Sequence, residues 1–154
     1  MRPLALVPVV LLCLTAPLAA QGRSIKVTGV RPLDFGSILA GAPTSVLRTD
    51  ATRSGRFDFV AQNTDVVIVS LTLPSAMDRA GGGAMPLAFS GSDAGFSQQE
   101  SVTDQVAFDP RQAYLATMSK TGRGSIFLGG TVTPAFNQAP GAYTALITLT
   151  VVYP

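Results

Sequence analysis

The C-terminal stretch of the chain, residues 143–153, alternates in polarity with a period of two. Its even positions are mostly threonines, and its odd positions are Tyr143, Ala145, Ile147, Leu149, Val151 and Tyr153. Successive side chains of a strand point to opposite faces, so the pattern predicts a strand with one apolar face and one hydroxylated face. A helix would scatter the same residues around its axis. Tyr143, Ile147, Leu149, Val151 and Tyr153 are therefore our candidates for an edge or core strand.

Shorter segments with strand-like patterns recur upstream. Residues 55–62 alternate inward Phe57, Phe59 and Ala61 with mostly polar residues. Residues 66–73 are β-branched on both faces over their first half, as expected for a central strand covered on two sides. Residues 125–136 are the expected hairpin partner of the C-terminal strand, and weaker strands are expected at residues 24–30, 33–39, 86–90 and 104–109. No segment keeps a helical repeat beyond a turn or two. The chain is therefore expected to fold as an all-β sandwich of about seven to nine strands.

Six phenylalanines fall mostly at positions that should face the core of such a sandwich: Phe35, Phe57, Phe59, Phe89, Phe127 and Phe136. A cluster of aromatic rings could line a ligand pocket, but a sandwich needs large side chains between its sheets. We expect these rings to form the core.

The first 20 residues have the organisation of a secretory signal peptide. Arg2 precedes an apolar run over residues 4–14, and small residues follow at 16–20. The run is shorter than the roughly 20 residues that a membrane-spanning helix needs. We predict cleavage after Ala20, a single domain over residues 21–154 and no membrane span once the signal is removed. The product would be periplasmic, on the cell surface or extracellular.

Composition excludes several kinds of chemistry. The chain has no histidine, so Ser-His-Asp and Cys-His catalysis and histidine-ligated zinc are impossible within it. Its one cysteine, Cys13, lies in the predicted signal peptide, so the exported product can form no internal disulfide. Eleven basic residues against nine acidic ones give a net charge of +2, too small for a nucleic-acid-binding surface to be expected.

The remaining polar residues suggest no catalytic or metal site. Acidic residues occur singly, without the spacing of a calcium-binding loop. The glycines at 81–83 lack the lysine and the hydroxyl residue of a phosphate-binding loop. Arg48, Arg53 and Arg56 could form a basic patch, but Asp50 and Asp58 alternate with them, which favours an ordinary mixed-charge surface. We predict no catalytic residue, no cofactor and no metal.

Three segments together carry a resemblance: LDFGSILAG at 33–41, FDFVAQN followed by VVIVSLTLPS, and FLGGTVTPAFNQAPGAYTALITLTVVYP at 127–154. In this order and spacing they resemble the bacterial exported family known as domain of unknown function 4402. More distantly the chain is similar to spore-coat-protein-U-like and chaperone-usher fimbrial subunits. The resemblance implies an immunoglobulin-like, pilin-like antiparallel sandwich, and it implies no known reaction.

The distant resemblance also implies assembly by donation of a strand to a neighbouring subunit. The candidate donor is residues 21–30, in which Ile25 and Val27 alternate with polar residues. The alternative is that this segment is the first strand of its own domain, and we favour that alternative because only residues 29–32 separate it from the next segment.

Two functions therefore remain open. The first is an exported, non-enzymatic structural or surface-assembly protein, similar to a fimbrial subunit, whose partner is a protein or a further copy of itself. The second is a self-contained periplasmic or extracellular binding module, which would need a concave apolar pocket with convergent polar groups.

Overall fold

Thirteen short strands and no helix make up the part of the chain that the computed structural model describes, residues 24–154. The predicted signal peptide lies outside these residues. In chain order the strands are β1 (Lys26–Arg31), β2 (Thr44–Val46), β3 (Gly55–Val60), β4 (Val66–Thr72), β5 (Ala76–Arg79), β6 (Ala84–Ala88), β7 (Ala94–Ser97), β8 (Val106–Phe108), β9 (Tyr114–Thr117), β10 (Arg123–Leu128), β11 (Gly130–Val132), β12 (Tyr143–Thr144) and β13 (Thr148–Val152).

The strands form three antiparallel sheets. The first has the order β1-β3-β10-β7-β8, the second β12-β5-β6-β11-β2 and the third β13-β4-β9. The first and third sheets pack on each other through the main core, to which the first contributes Phe59, Phe96 and Ile126 and the third contributes Val67 and Val151. The predicted all-β sandwich is confirmed.

A second, smaller core lies against the second sheet. It consists of buried side chains from four strands or loops: Phe35, Val46, Met85, Leu87 and Val132. Phe35 comes from residues 33–39, for which a strand was expected. That expectation is wrong, because the segment is irregular and Gly36 adopts a positive φ of 65°.

At three places a break of only one to three residues separates two consecutive strands that belong to different sheets. The divisions fall at residues 73–75 between β4 and β5, at Gly129 between β10 and β11, and at residues 145–147 between β12 and β13. These three divisions explain part of the difference between the thirteen observed strands and the seven to nine that were expected. The glycine-rich turn at 81–83 adds another difference, because it joins β5 and β6 in a hairpin where a loop was expected.

The pairing of the C-terminal strand differs from expectation. Residues 125–136 are not its hairpin partner, because β10 pairs with β3 and β7, and β11 pairs with β2 and β6. β13 pairs instead with β4, Thr150 lying opposite Ser70. β4 lies between β13 and β9, so its predicted central position is confirmed.

One of the six phenylalanines lies on the surface. Phe136 is 93% exposed, on a turn after β11 that leaves the sheets, whereas Phe59 and Phe127 are fully buried. The assignment of Phe136 to the core is therefore wrong.

Candidate functional site

The C-terminal strand β13 lies at the edge of the third sheet. It pairs with β4 on one side, and no strand among residues 24–154 pairs with its other side. Val151 is buried, while Leu149 is half-buried and packs against the main core. Thr148, Thr150 and Val152 are exposed on the outer face. The predicted alternation therefore holds, but the core is covered incompletely along this edge.

The candidate residues of the C-terminal strand are divided between two sheets. Tyr143 lies in β12, which pairs with β5, and Leu149 and Val151 lie in β13. Ile147 precedes β13 in a segment without strand pairing, and Tyr153 follows it. The hydroxyl of Tyr153 accepts a hydrogen bond from the amide of Gln62 at 2.8 Å. That bond fixes the end of β13 against the chain that leaves β3.

A groove runs beside the unpaired residues 145–147. It consists of three adjoining depressions of about 640, 340 and 160 Å³, and Leu33 lines all of them. Tyr143 lines the largest and the smallest of them, and Ile147 lines the smallest and the middle one. We call this feature the terminal groove. It brings the apolar side chains next to β13 into contact with solvent.

The end of β1 lines the same depression as residues 145–147. Gly29, Val30 and Arg31 line the middle depression together with Phe57 and Leu128. β1 is an edge strand of the first sheet, and residues 145–147 lead into β13, an edge strand of the third sheet, so the middle depression lies where the ends of two edge strands meet.

The charged residues that line the terminal groove are engaged by neighbouring chain. The guanidinium of Arg31 donates to the carbonyl and the hydroxyl of Ser54, both at 2.7 Å, and to the carbonyl of Ala51. The carboxylate of Asp34 accepts from the amide of Gly36 at 2.8 Å. Both charged side chains are therefore bonded to nearby chain. Among residues 24–154, Arg31 is the only charged residue that lines the middle depression, whose other lining residues are apolar or glycine.

The polar side chains at the wide end of the terminal groove are also bonded. The Tyr143 hydroxyl donates to the carbonyl of Ala139 at 2.8 Å and accepts from the Gln138 amide at 2.6 Å. The same amide donates to the carbonyl of Ala84 at 3.2 Å. This network joins the turn before β12 to the hairpin of β5 and β6.

The candidate donor residues lie beside the same edge. Val27 is in β1, opposite Phe59 of β3, and Ile25 is half-buried against the main core. In the structure this segment therefore pairs within its own domain, as in the alternative in which it is the first strand of that domain.

The three arginines suggested as a basic patch are held by different partners. Arg48 donates to the carbonyl of Ser92 and to the side chain of Gln105. Arg53 donates to the carbonyls of Asp34 and Phe35, which lie on the loop that lines the terminal groove. Their charges are thus used to attach loops to one another.

The third of these arginines belongs to a group of ionic side chains on β3 and β10. Arg56 contacts Asp58 at 2.8 Å and Glu100 at 3.4 Å, and Arg123 contacts Glu100 at 3.2 Å. Ser125 donates to Asp58 at 2.7 Å. The hydrogen bond to Asp58 is the main reason that the pKa of Arg56 lies above its ordinary value. The group stabilises paired charges on the first sheet and lines none of the depressions of the terminal groove.

A turn beside β3 depends on an ionised carboxylate. Asp50 accepts hydrogen bonds from the amide and the hydroxyl of Thr52, both at 2.8 Å, and from the amide of Arg53 at 3.0 Å. These bonds, the Thr52 amide first, lower the pKa of Asp50 below its ordinary value. A carboxylate with a lowered pKa stabilises the fold above its unfolded-state pKa of about 3.9, and that stabilisation is lost as the pH falls through the folded-state pKa.

We therefore expect the free energy of unfolding to depend less on pH in Asp50→Asn than in the unmodified protein. Urea unfolding at pH 7 and below pH 3 measures the difference. The unmodified protein should lose more stability on acidification, because only its residue 50 can bind a proton there. Equal losses in the two proteins would contradict the assignment of this carboxylate to the turn.

Residues 24–154 contain no group of three acidic, histidine or cysteine side chains that could hold a metal ion. The same part of the chain has no helix long and apolar enough to cross a membrane. No protein-family model matches the sequence, and no curated protein matches it.

Proposed function

We propose that the protein is an exported, non-enzymatic structural or surface-assembly subunit, similar to a fimbrial subunit, that acts through contacts at strand edges. The observation that carries this proposal is the open edge of β13 beside the terminal groove. An open edge presents unpaired amide and carbonyl groups to any further strand, and neighbouring apolar pockets can take that strand's alternate side chains.

The charge distribution supports the same proposal. Arg123 is the last charged residue of the sequence, so the 31 residues from 124 to 154 carry no charged side chain. Natural edge strands are commonly protected from association by charged residues, prolines or bulges. The absence of charge along β13 favours contact with another strand.

The order of the strands supports an immunoglobulin-like topology as part of the proposal. In that fold one sheet has the order A-B-E-D and the other contains C, F and G. The order β1-β3-β10-β7 corresponds to A-B-E-D, and β4 and β13 correspond to C and F. No described strand occupies the position of G, which is the position beside the open edge of β13.

The second candidate, a self-contained binding module, would use the wide end of the terminal groove. Its depression of about 640 Å³ is large enough for a small ligand. The Tyr143 and Gln138 side chains that could orient a ligand there are bonded to each other, which favours the assembly function over this alternative.

The proposal is tested by two exposed leucines near opposite edges of the third sheet, one just before β13 and one in β9. Leu146 is 82% exposed beside the open edge, and Leu115 is 64% exposed on β9 at the opposite edge. We expect residues 21–154 to form larger species as concentration rises, and we expect Leu146→Asp to weaken that association about tenfold or more, because a charge is then desolvated in the contact.

Sedimentation or light scattering across a concentration series measures the association, with Leu115→Asp as the matched control. Both variants should remain folded, because neither side chain is buried. A monomer at every concentration, or equal effects of the two substitutions, would contradict the proposal.

A further inference from the structure

The edge strand β13 differs from the other edge strands in its length and its lack of charge. We propose that β13 pairs antiparallel with β13 of a second copy of this chain, across a two-fold axis that passes through Thr150. This inference rests on the proposed function, which assigns contact to the β13 edge, and it adds the identity and orientation of the partner strand.

A comparison of the sheet edges supports the choice of strand. Among residues 24–154 six strands lie at sheet edges, and β2, β8, β9 and β12 have only two to four residues each. β1 has six residues but contains Lys26 and Arg31. Short length and charge both oppose pairing between edges. β13, with five uncharged residues, has neither protection, so the best match for it on a second copy is the same strand.

The sequence of β13 suits pairing with itself. With the axis at Thr150, Leu149 lies opposite Val151 of the second copy, and Thr148 lies opposite its Val152. Odd residues then stay on the core side of both sheets and even residues stay on the outer side, because antiparallel neighbours directly opposite each other point to the same face. No charged side chains are brought together.

The result is a six-stranded sheet made from two three-stranded sheets. Its centre adds backbone hydrogen bonds between the copies and brings the half-buried Leu149 side chain of each copy next to the Val151 side chain of the other. A two-fold contact closes on itself, so it produces a dimer, and any larger assembly built from that dimer uses other surfaces.

Engineered cysteines test this register in residues 21–154, a segment that contains no cysteine of its own. Directly opposed residues of antiparallel strands have Cα atoms about 4.5–5.5 Å apart, within the range of a disulfide. We expect Thr150→Cys to form a covalent dimer under mild oxidation. Thr148→Cys and Val152→Cys should each cross-link poorly alone and efficiently when mixed. All three positions are exposed on the outer face, so the substitutions leave the core intact.

The position of the cross-links separates failure of this inference from failure of the proposed function. Association that is lost in Leu146→Asp, but without the Thr150→Cys cross-link, would overturn the self-paired strand and leave edge-mediated assembly standing. Thr148→Cys or Val152→Cys cross-linking alone as well as Thr150→Cys would overturn the position of the axis. A protein that stays monomeric would overturn both proposals.

Discussion

Val151→Asp should unfold the protein or lower its free energy of unfolding by about 4 kcal/mol. Val151 is 8% exposed on the core face of β13, where it packs against the main core between the first and third sheets. A carboxylate there loses most of its hydration and gains no cation. Since small domains are commonly stable by only 5–15 kcal/mol, the substitution removes a large part of the total.

The control is Thr150→Asp, on the neighbouring residue and the outer face of the same strand. Its side chain is exposed in the single copy, so at concentrations at which the protein is monomeric the change in unfolding free energy should stay within about 0.5 kcal/mol. Ile147→Asp should fall between the two, because Ile147 is half-buried beside the terminal groove. Urea unfolding followed by circular dichroism measures all three. Equal losses for Val151→Asp and Thr150→Asp would mean that the wrong face of β13 has been assigned to the core.

Gly129→Ala should lower the free energy of unfolding by about 3 kcal/mol. Gly129 lies where the chain leaves β10 in the first sheet and enters β11 in the second, and its amide donates to the carbonyl of Asp93 at 2.7 Å. A Cβ atom at this position would collide with the carbonyl oxygen of Val46 and lie 2.7 Å from the amide nitrogen of Arg48. Both atoms belong to backbone, which cannot rotate away as a side chain can.

Gly29→Ala is the matched control for this substitution. Its Cβ would meet only ring carbons of Phe57, at 4.0 Å, which is an ordinary contact. Stability should therefore change by no more than about 0.5 kcal/mol. Similar effects of the two substitutions in the same unfolding experiment would show that the close approach at the change of sheet is not what requires Gly129.

Strands with strong local patterns were predictable from the sequence. β4 is rich in β-branched residues, which favour strands. In β13 apolar residues that face the core alternate with residues that face solvent, and this alternation is visible in the sequence. β7 has the sequence Ala-Gly-Phe-Ser, with no such preference, and all four of its residues are buried between β10 and β8. The neighbours impose that strand through backbone pairing, so no local signal could reveal it.

The partners of the strands were harder to predict than the strands themselves. The turn at Pro140 and Gly141 suggested a local hairpin, but the chain on either side joins different partner strands. Local turn chemistry cannot reveal that a segment changes sheet. Nor could it show that residues 145–147 are left without strand partners and line the terminal groove with Leu33 from far along the chain.

One property of the candidate site was visible in the sequence: the C-terminal segment that contains it has no charged side chain. The uncharged C-terminal segment favoured contact by strand edges, and the structure locates the open edge at β13. Its position beside the terminal groove depends on long-range packing between β1, the Leu33 loop and residues 145–147.

Amide hydrogen exchange across a concentration series tests most directly whether the β13 edge is the contact surface. At low concentration the amides of Thr148–Val152 that point away from β4 should exchange rapidly, and they should become protected as larger species form. Amides of Val67 and Val69, buried in β4, should not change and serve as the internal reference. Association without added protection in β13 would contradict the assignment of this edge as the contact surface.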